Sequence, residues 1–128
     1  MKQVIATTAA PGAIGPYSQA IKISPEGKSM VYASGQIPLN PADGTIPAGI
    51  KAQTAQSLAN VKAILAEAGM TLDNVIKTTV FLADMADFAA MNEVYAEAFN
   101  SPYPARSAVA VKELPKQVLV EIEVIALG

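Results

Sequence analysis

The chain contains no histidine, no cysteine and no tryptophan, and only 16% of its 128 residues are charged. Each absence removes chemistry. Without His or Cys there is no imidazole zinc site, no Ser-His-Asp or Cys-His nucleophile, no thiol redox centre, no iron–sulfur cluster and no disulfide framework. Catalysis is left to carboxylates, Lys, Arg, hydroxyls, backbone and water. Long apolar runs are missing as well. Gln3 to Ile21 carries no charge, but Pro11, Gly12, Gly15 and Pro16 interrupt it, so it reads as neither a signal peptide nor a membrane span. A cytosolic location is the default expectation, and the lack of cysteine is compatible with it. Nine Lys/Arg against eleven Asp/Glu give a net charge of −2, scattered rather than run together. That balance predicts no affinity for nucleic-acid phosphates or an anionic membrane.

What is abundant is apolar surface, 52% of the residues. The length suits one domain over residues 1–128, able to bury roughly two thirds of its unfolded surface. Charge lies well below the ~25% usual for globular chains, a first hint of self-association.

Lys2 to Ala6 reads as a short strand, followed by a Pro/Gly-punctuated loop to Ser18. Gln19–Ser24 and Ser29–Ser34 are β-like runs around the turn cluster Pro25-Glu26-Gly27-Lys28, which predicts a hairpin. Gly35 to Gly49 holds three prolines and three glycines and reads as an extended connection of the kind that often carries function. Ile50 to Ala68 is the clearest helix, with Leu58, Val61, Leu65 and Ala68 on one stripe and Gly69 ending it. In the strand Asn74 to Leu82, alternation sets Ile76, Thr78, Val80 and Leu82 against Val75, Lys77, Thr79 and Phe81. Asp84 and Asp87 resemble an N-cap and a first-turn acid for a helix with the stripe Phe88, Met91, Tyr95 and Ala98, which Pro102 and Pro104 stop. Ser107–Lys112 and Val118–Leu127 close the chain as strands.

Two helices cover one face of a sheet of about six strands. The other face is not built for water: Glu121, Glu123 and Ile125 share it in the last strand, opposite Val120, Ile122, Val124 and Ala126. A half-apolar sheet face wants a partner, so the expectation is a symmetric homo-oligomer with sheet packed on sheet.

Arg106, the only arginine, stands where the stiff segment Ser101-Pro-Tyr-Pro-Ala enters a strand. Its planar fork can bind a carboxylate bidentately; the alternative is an ordinary surface or ion-paired arginine. Glu121 and Glu123 interrupt an apolar strand, where unpaired burial costs several kcal/mol, on the order of the usual penalty for buried charge. At least one should meet a cation or a wet cleft and hold a water, unless the strand is an edge protected by charge. Tyr17 follows Gly15-Pro16, with its hydroxyl placed for a cleft or its ring packed on the surface. Ser34-Gly35-Gln36 marks a strand end where glycine permits a close approach, although a turn explains it too. Pro11-Gly12-Ala13-Ile14-Gly15 lacks the Gly-Lys-Ser/Thr ending of a phosphate loop.

Six segments, spread in order over nearly the whole chain, carry a resemblance. They are Ala13-Ile14-Gly15-Pro16-Tyr17-Ser18-Gln19-Ala20, Ser34-Gly35-Gln36-Ile37-Pro38, Lys77-Thr78-Thr79-Val80-Phe81-Leu82, Asn92-Glu93-Val94-Tyr95, Pro104-Ala105-Arg106-Ser107 and Val120-Glu121-Ile122-Glu123. Together they resemble the Rid (YjgF-like) family and its RidA-type enamine/imine deaminases.

The resemblance implies an α+β, chorismate-mutase-like fold with a six-stranded mixed sheet and two helices on one face. It also implies a homotrimer with a central β-barrel and active sites between subunits. Arg106 would grip the carboxylate of a 2-imino or 2-enamino acid released by a pyridoxal-phosphate dehydratase, and Glu121 would position the attacking water. Tyr17, from the neighbouring subunit, would support ligand or water, while Ser34, Gly35 and Asn92 line the cleft. An imine carbon is already electrophilic and needs orientation and water more than a strong nucleophile, so neither metal nor cofactor is demanded. Ala108 departs from the pattern, since several relatives carry cysteine two residues after the arginine. Thiol switching there is impossible in this chain, and hydrolysis does not need it. Two other functions compete: a non-catalytic 2-keto acid sensing module, and an RNA-cleaving translation inhibitor, which the negative charge and missing basic stripe disfavour.

Overall fold

Period-two segments build one sheet and period-3.6 segments build two helices that cover one side of it. In the computed structural model, which describes residues 1–128, the strands are β1 (Lys2–Ile5), β2 (Ala20–Ile23), β3 (Met30–Gln36), β4 (Val75–Leu82), β5 (Ala105–Ala110) and β6 (Val120–Leu127). The helices are α1 (Ile50–Glu67) and α2 (Phe88–Ala98). The sheet order is β1-β2-β3-β6-β4-β5, antiparallel throughout except for the parallel pair β4·β5. This is the expected α+β fold. Although β5 and β6 are consecutive in sequence, β5 takes the edge and β6 inserts between β3 and β4. Edge protection therefore does not explain Glu121 and Glu123, which sit in a central strand.

The core lies between the sheet and the helices. Val31, Val80, Leu82, Val120, Ile122 and Val124 from the sheet meet Val61, Ile64, Leu65 and Met91 from α1 and α2, all 2% exposed or less. Burying each such side chain contributes about 1.5–3 kcal/mol against the entropy of ordering the chain. The opposite face stays open, with Tyr32 and Val109 45% and 46% exposed.

Two bulges alter the simple alternation. Between Val75 and Lys77 the register against β6 shifts, which buries Val75 and leaves Ile76 exposed, the reverse of the expected faces for this pair. Between Ala33 and Gln36 the register shifts again, at Ser34-Gly35. The Asp84 cap is real but local: its side chain accepts from the Ala86 N–H at 2.8 Å, holding a single 3₁₀ turn, Met85–Asp87, ahead of α2.

Helix α1 is buried beyond its apolar stripe. Gln53, Thr54, Ser57 and Asn60 are buried too. Asn60 Nδ2 donates to the carbonyls of Ile37 (3.1 Å) and Leu39 (3.0 Å), and Gln53 Nε2 to that of Pro47 (3.0 Å). These amides pin the long connection from Gly35 to Gly49 onto the helix. No helix is long and apolar enough to cross a membrane.

Candidate active site

After α2, the prolines at 102 and 104 prevent further helix, and β5 begins beside β4 with Arg106 in register with Thr78. Alternation turns Arg106 to the same side as Ala108, toward α2. Its guanidinium carbon lies 4.6 Å from the Tyr95 ring centroid and 5.4 Å from that of Phe88. Nη1 donates to Asn92 Oδ1 at 2.6 Å. No acid neutralises it: the one ion pair in the chain is the exposed Lys51–Glu93 contact at 2.7 Å. The guanidinium opens onto a cleft of about 470 Å³ lined by Asn92, Tyr95, Ala96, Tyr103, Pro104 and Arg106. A part-buried arginine without an acidic partner at the wall of a cleft is chemically able to receive a carboxylate.

Glu121 faces the other side of the sheet, in register with Phe81 of β4. The bulge in β3 brings Gly35 against it so closely that a Cβ built on Gly35 would meet the Glu121 carboxyl carbon at 2.8 Å. The close approach expected at this glycine is therefore made by the chain's own glutamate. Burial, and secondarily the charge of Glu123, push the Glu121 carboxyl above the usual carboxylate range. A carboxyl raised toward neutrality is suited to accept and return a proton.

Tyr17 joins this second group. It is 53% exposed and, with Ile14, Gly35, Gln36 and Lys116, lines a hollow of about 160 Å³. Ser34 ties the two segments together: its hydroxyl donates to the Ser18 carbonyl at 2.6 Å, and its N–H to Gln19 O at 2.8 Å. The six candidates thus fall into two sets. Arg106 and Asn92 stand together on the helix side, and Glu121 stands with Gly35 on the open side, where Tyr17 and Ser34 border the Gly35 segment.

Two contributors escaped the sequence reading. Gln19, 4% exposed, accepts from the Thr7 N–H at 2.6 Å and donates to the carbonyls of Thr7 (3.0 Å), Ala10 (3.3 Å) and Pro11 (2.7 Å), so one amide organises the loop that carries Tyr17. A polar residue at the start of an apolar strand was the available signal. Tyr95 looked like helix stripe, yet its ring is the floor beneath Arg106. Lys77 of β4 donates to Thr78 O at 3.0 Å and Ser107 Oγ at 3.1 Å.

Comparison with known proteins shows the family of the chain. The model of a family described as Endoribonuclease L-PSP matches residues 7–128. A crystal structure from Yersinia pestis, of a protein of unknown function in the conserved Rid family, superposes with a TM-score of 0.92 at 48% identity, covering 98% of both chains. The chain belongs to this Endoribonuclease L-PSP, or Rid, family. Another Rid-fold structure, Escherichia coli TdcF with bound serine, has a TM-score of 0.90 and 49% identity over 98% of each chain. The 2-iminobutanoate/2-iminopropanoate deaminase of Escherichia coli is 50% identical over 131 residues, 99% of this chain and 98% of its own. Rid membership thus agrees with the resemblance carried by the six sequence motifs.

Proposed function

We propose that this Rid protein hydrolyses 2-imino and 2-enamino acids to 2-keto acids and ammonia, in sites shared between copies of a homotrimer. The observation that carries the reading is the division of the candidates. Arg106 is a cation without an acid, Glu121 is an acid without a cation, and they face opposite sides of one sheet. Within one chain they do not form a site. Because Arg106 stands on the edge strand β5, a closed trimer around a central barrel would set that edge against a neighbouring sheet, whose Glu121 would supply the missing half.

In this reading Arg106, oriented by Asn92, binds the substrate carboxylate and presents the C=N carbon to the neighbour's Glu121. Glu121 takes a proton from water as the oxygen adds to that carbon and passes it to the nitrogen, giving a carbinolamine; it then takes the carbinolamine hydroxyl proton and delivers it to the amine as C=O forms and the C–N bond breaks. Ammonia leaves and the keto acid remains. Tyr17 supports the ligand or water, with Ser34 and Gly35 shaping the wall. The expectation that Tyr17 comes from the adjacent subunit extends here to Glu121, because Glu121 lies against Gly35, which lines the same hollow as Tyr17. The relatives named for 2-imino acid deamination and for bound serine support the substrate class. An RNA substrate is less well served, since a single arginine and a net charge of −2 offer little to a run of phosphates.

The test couples the purified protein to a threonine dehydratase and follows early 2-oxobutanoate formation. Acceleration over the uncatalysed rate is expected, and its loss in both Arg106→Ala and Glu121→Ala. Co-assembling the two inactive variants should recover about a quarter of wild-type activity, the fraction of interfaces that random mixing leaves with both groups. No acceleration by the wild type refutes deamination, and no recovery on mixing refutes the shared site.

A further inference from the structure

The Tyr95 hydroxyl has no reason to exist if the residue only fills the core. Phenylalanine would occupy the same space without a buried polar atom that must find a partner. That partner is Thr78 Oγ, at 2.8 Å and itself fully buried. Thr78 is also the β4 residue in register with Arg106. A path therefore runs from a β4 hydroxyl through the ring of α2 to the guanidinium of β5. Phe99 holds the ring from one side, centroids 4.6 Å apart and planes tilted by 37°. Arg106 lies over the ring with its carbon 4.6 Å from the centroid.

We infer that Tyr95 is a positioning residue for Arg106: its ring, tethered to Thr78, sets the plane in which the guanidinium meets the substrate carboxylate. The inference rests on the reading of Arg106 as the carboxylate receptor. A free arginine samples many rotamers and must be ordered each time a ligand binds. Laid on a fixed aromatic face and drawn at Nη1 to Asn92, this one is ordered beforehand, and its remaining donors are free for the ligand.

The test is titration of the full-length oligomer with 2-oxobutanoate, a stable carboxylate probe, alongside the coupled dehydratase assay. Tyr95→Leu should weaken binding about tenfold, the size of a partly desolvated cation–π contact. Tyr95→Phe, which keeps the ring and loses the tether, should lose only about twofold by the same scale. In an Arg106→Lys background, where the planar fork is gone, the added effect of Tyr95→Leu should fall below about twofold, because residues that act through one another are not additive. A purely structural role for Tyr95 would leave its penalty unchanged in that background and so overturns the inference. Wild-type binding in a folded Tyr95→Leu variant, or equal losses in the Leu and Phe variants, also overturns it. Should Tyr95→Leu not fold, Tyr95→Met, which fills the space without an aromatic face, takes its place, and unchanged binding there overturns the inference in turn. Failure of the underlying reading looks different: the wild type itself neither binds the probe nor accelerates deamination.

Discussion

Arg106 and Glu121 are each held in a state that a stable monomer would avoid. The arginine has aromatic faces and an amide but no counter-ion, and the glutamate is half-buried beside a second glutamate. For Glu121 the sign of the energetic consequence follows from the direction of its shift. A carboxyl raised in the folded state binds its proton more tightly there than when unfolded, so folding is favoured at low pH. Stability is lost as pH rises from the ordinary carboxylate range through the raised value. Glu121→Gln is therefore expected to raise the melting temperature at pH 7 while abolishing deamination, and the gain should vanish below the ordinary carboxylate range. Thermal melts of both proteins across pH 3–8 check this, and a variant less stable than wild type at pH 7 contradicts it. The candidate residues themselves were largely legible at this scale: a single arginine and charges inside an apolar strand are conspicuous in sequence. Gln19 and Tyr95 were not, because a buried amide and a helix-stripe aromatic look like ordinary structure until their partners, far along the chain, are known.

At the scale of elements, the long connection after β3 makes its own turn hydrogen bonds, such as Asn40 N–H to Thr45 O at 2.8 Å, and is tied to helix α1 besides. Asn60 satisfies two of its carbonyls from a position 1% exposed. Asn60→Ala leaves the Leu39 carbonyl unpaired and that of Ile37 with the Leu39 N–H alone, and a loss of about 1–3 kcal/mol is expected from the cost of a stranded acceptor. Denaturant unfolding measures it, and a change below about 0.5 kcal/mol, the size of an ordinary surface substitution, speaks against the pinning role. Helices, most strands and the hairpin were readable from periodicity and Pro/Gly punctuation. The bulges at Ser34-Gly35 and Val75–Lys77 were not, since register depends on the partner strand. The first of them decides what Gly35 is for.

At the scale of the whole molecule, one sheet face is covered by helices and the other carries exposed Tyr32 and Val109 beside Thr79, Glu121 and Ile125. Light scattering is expected to return about 40 kDa by the arithmetic of a closed three-fold assembly, against 13.2 kDa for one chain. Val109→Asp sets an acid into that open face and should shift the mass toward a single chain while removing activity, because burying an unpaired charge costs several kcal/mol on the order of the usual penalty. A monomeric wild type would end both the barrel and the shared site.

The sequence by itself determined which catalytic chemistries are impossible, where the helices and strands lie to within a few residues, and that one sheet face carries apolar groups. These follow from composition and from local periodicity, which need no knowledge of distant contacts. Only the tertiary structure decided that β6 lies at the centre of the sheet, that Glu121 rests on Gly35, and that Arg106 and Glu121 face opposite ways. Strand order and facing are set by long-range pairing, and a residue's chemistry depends on the side of the sheet to which that pairing turns it.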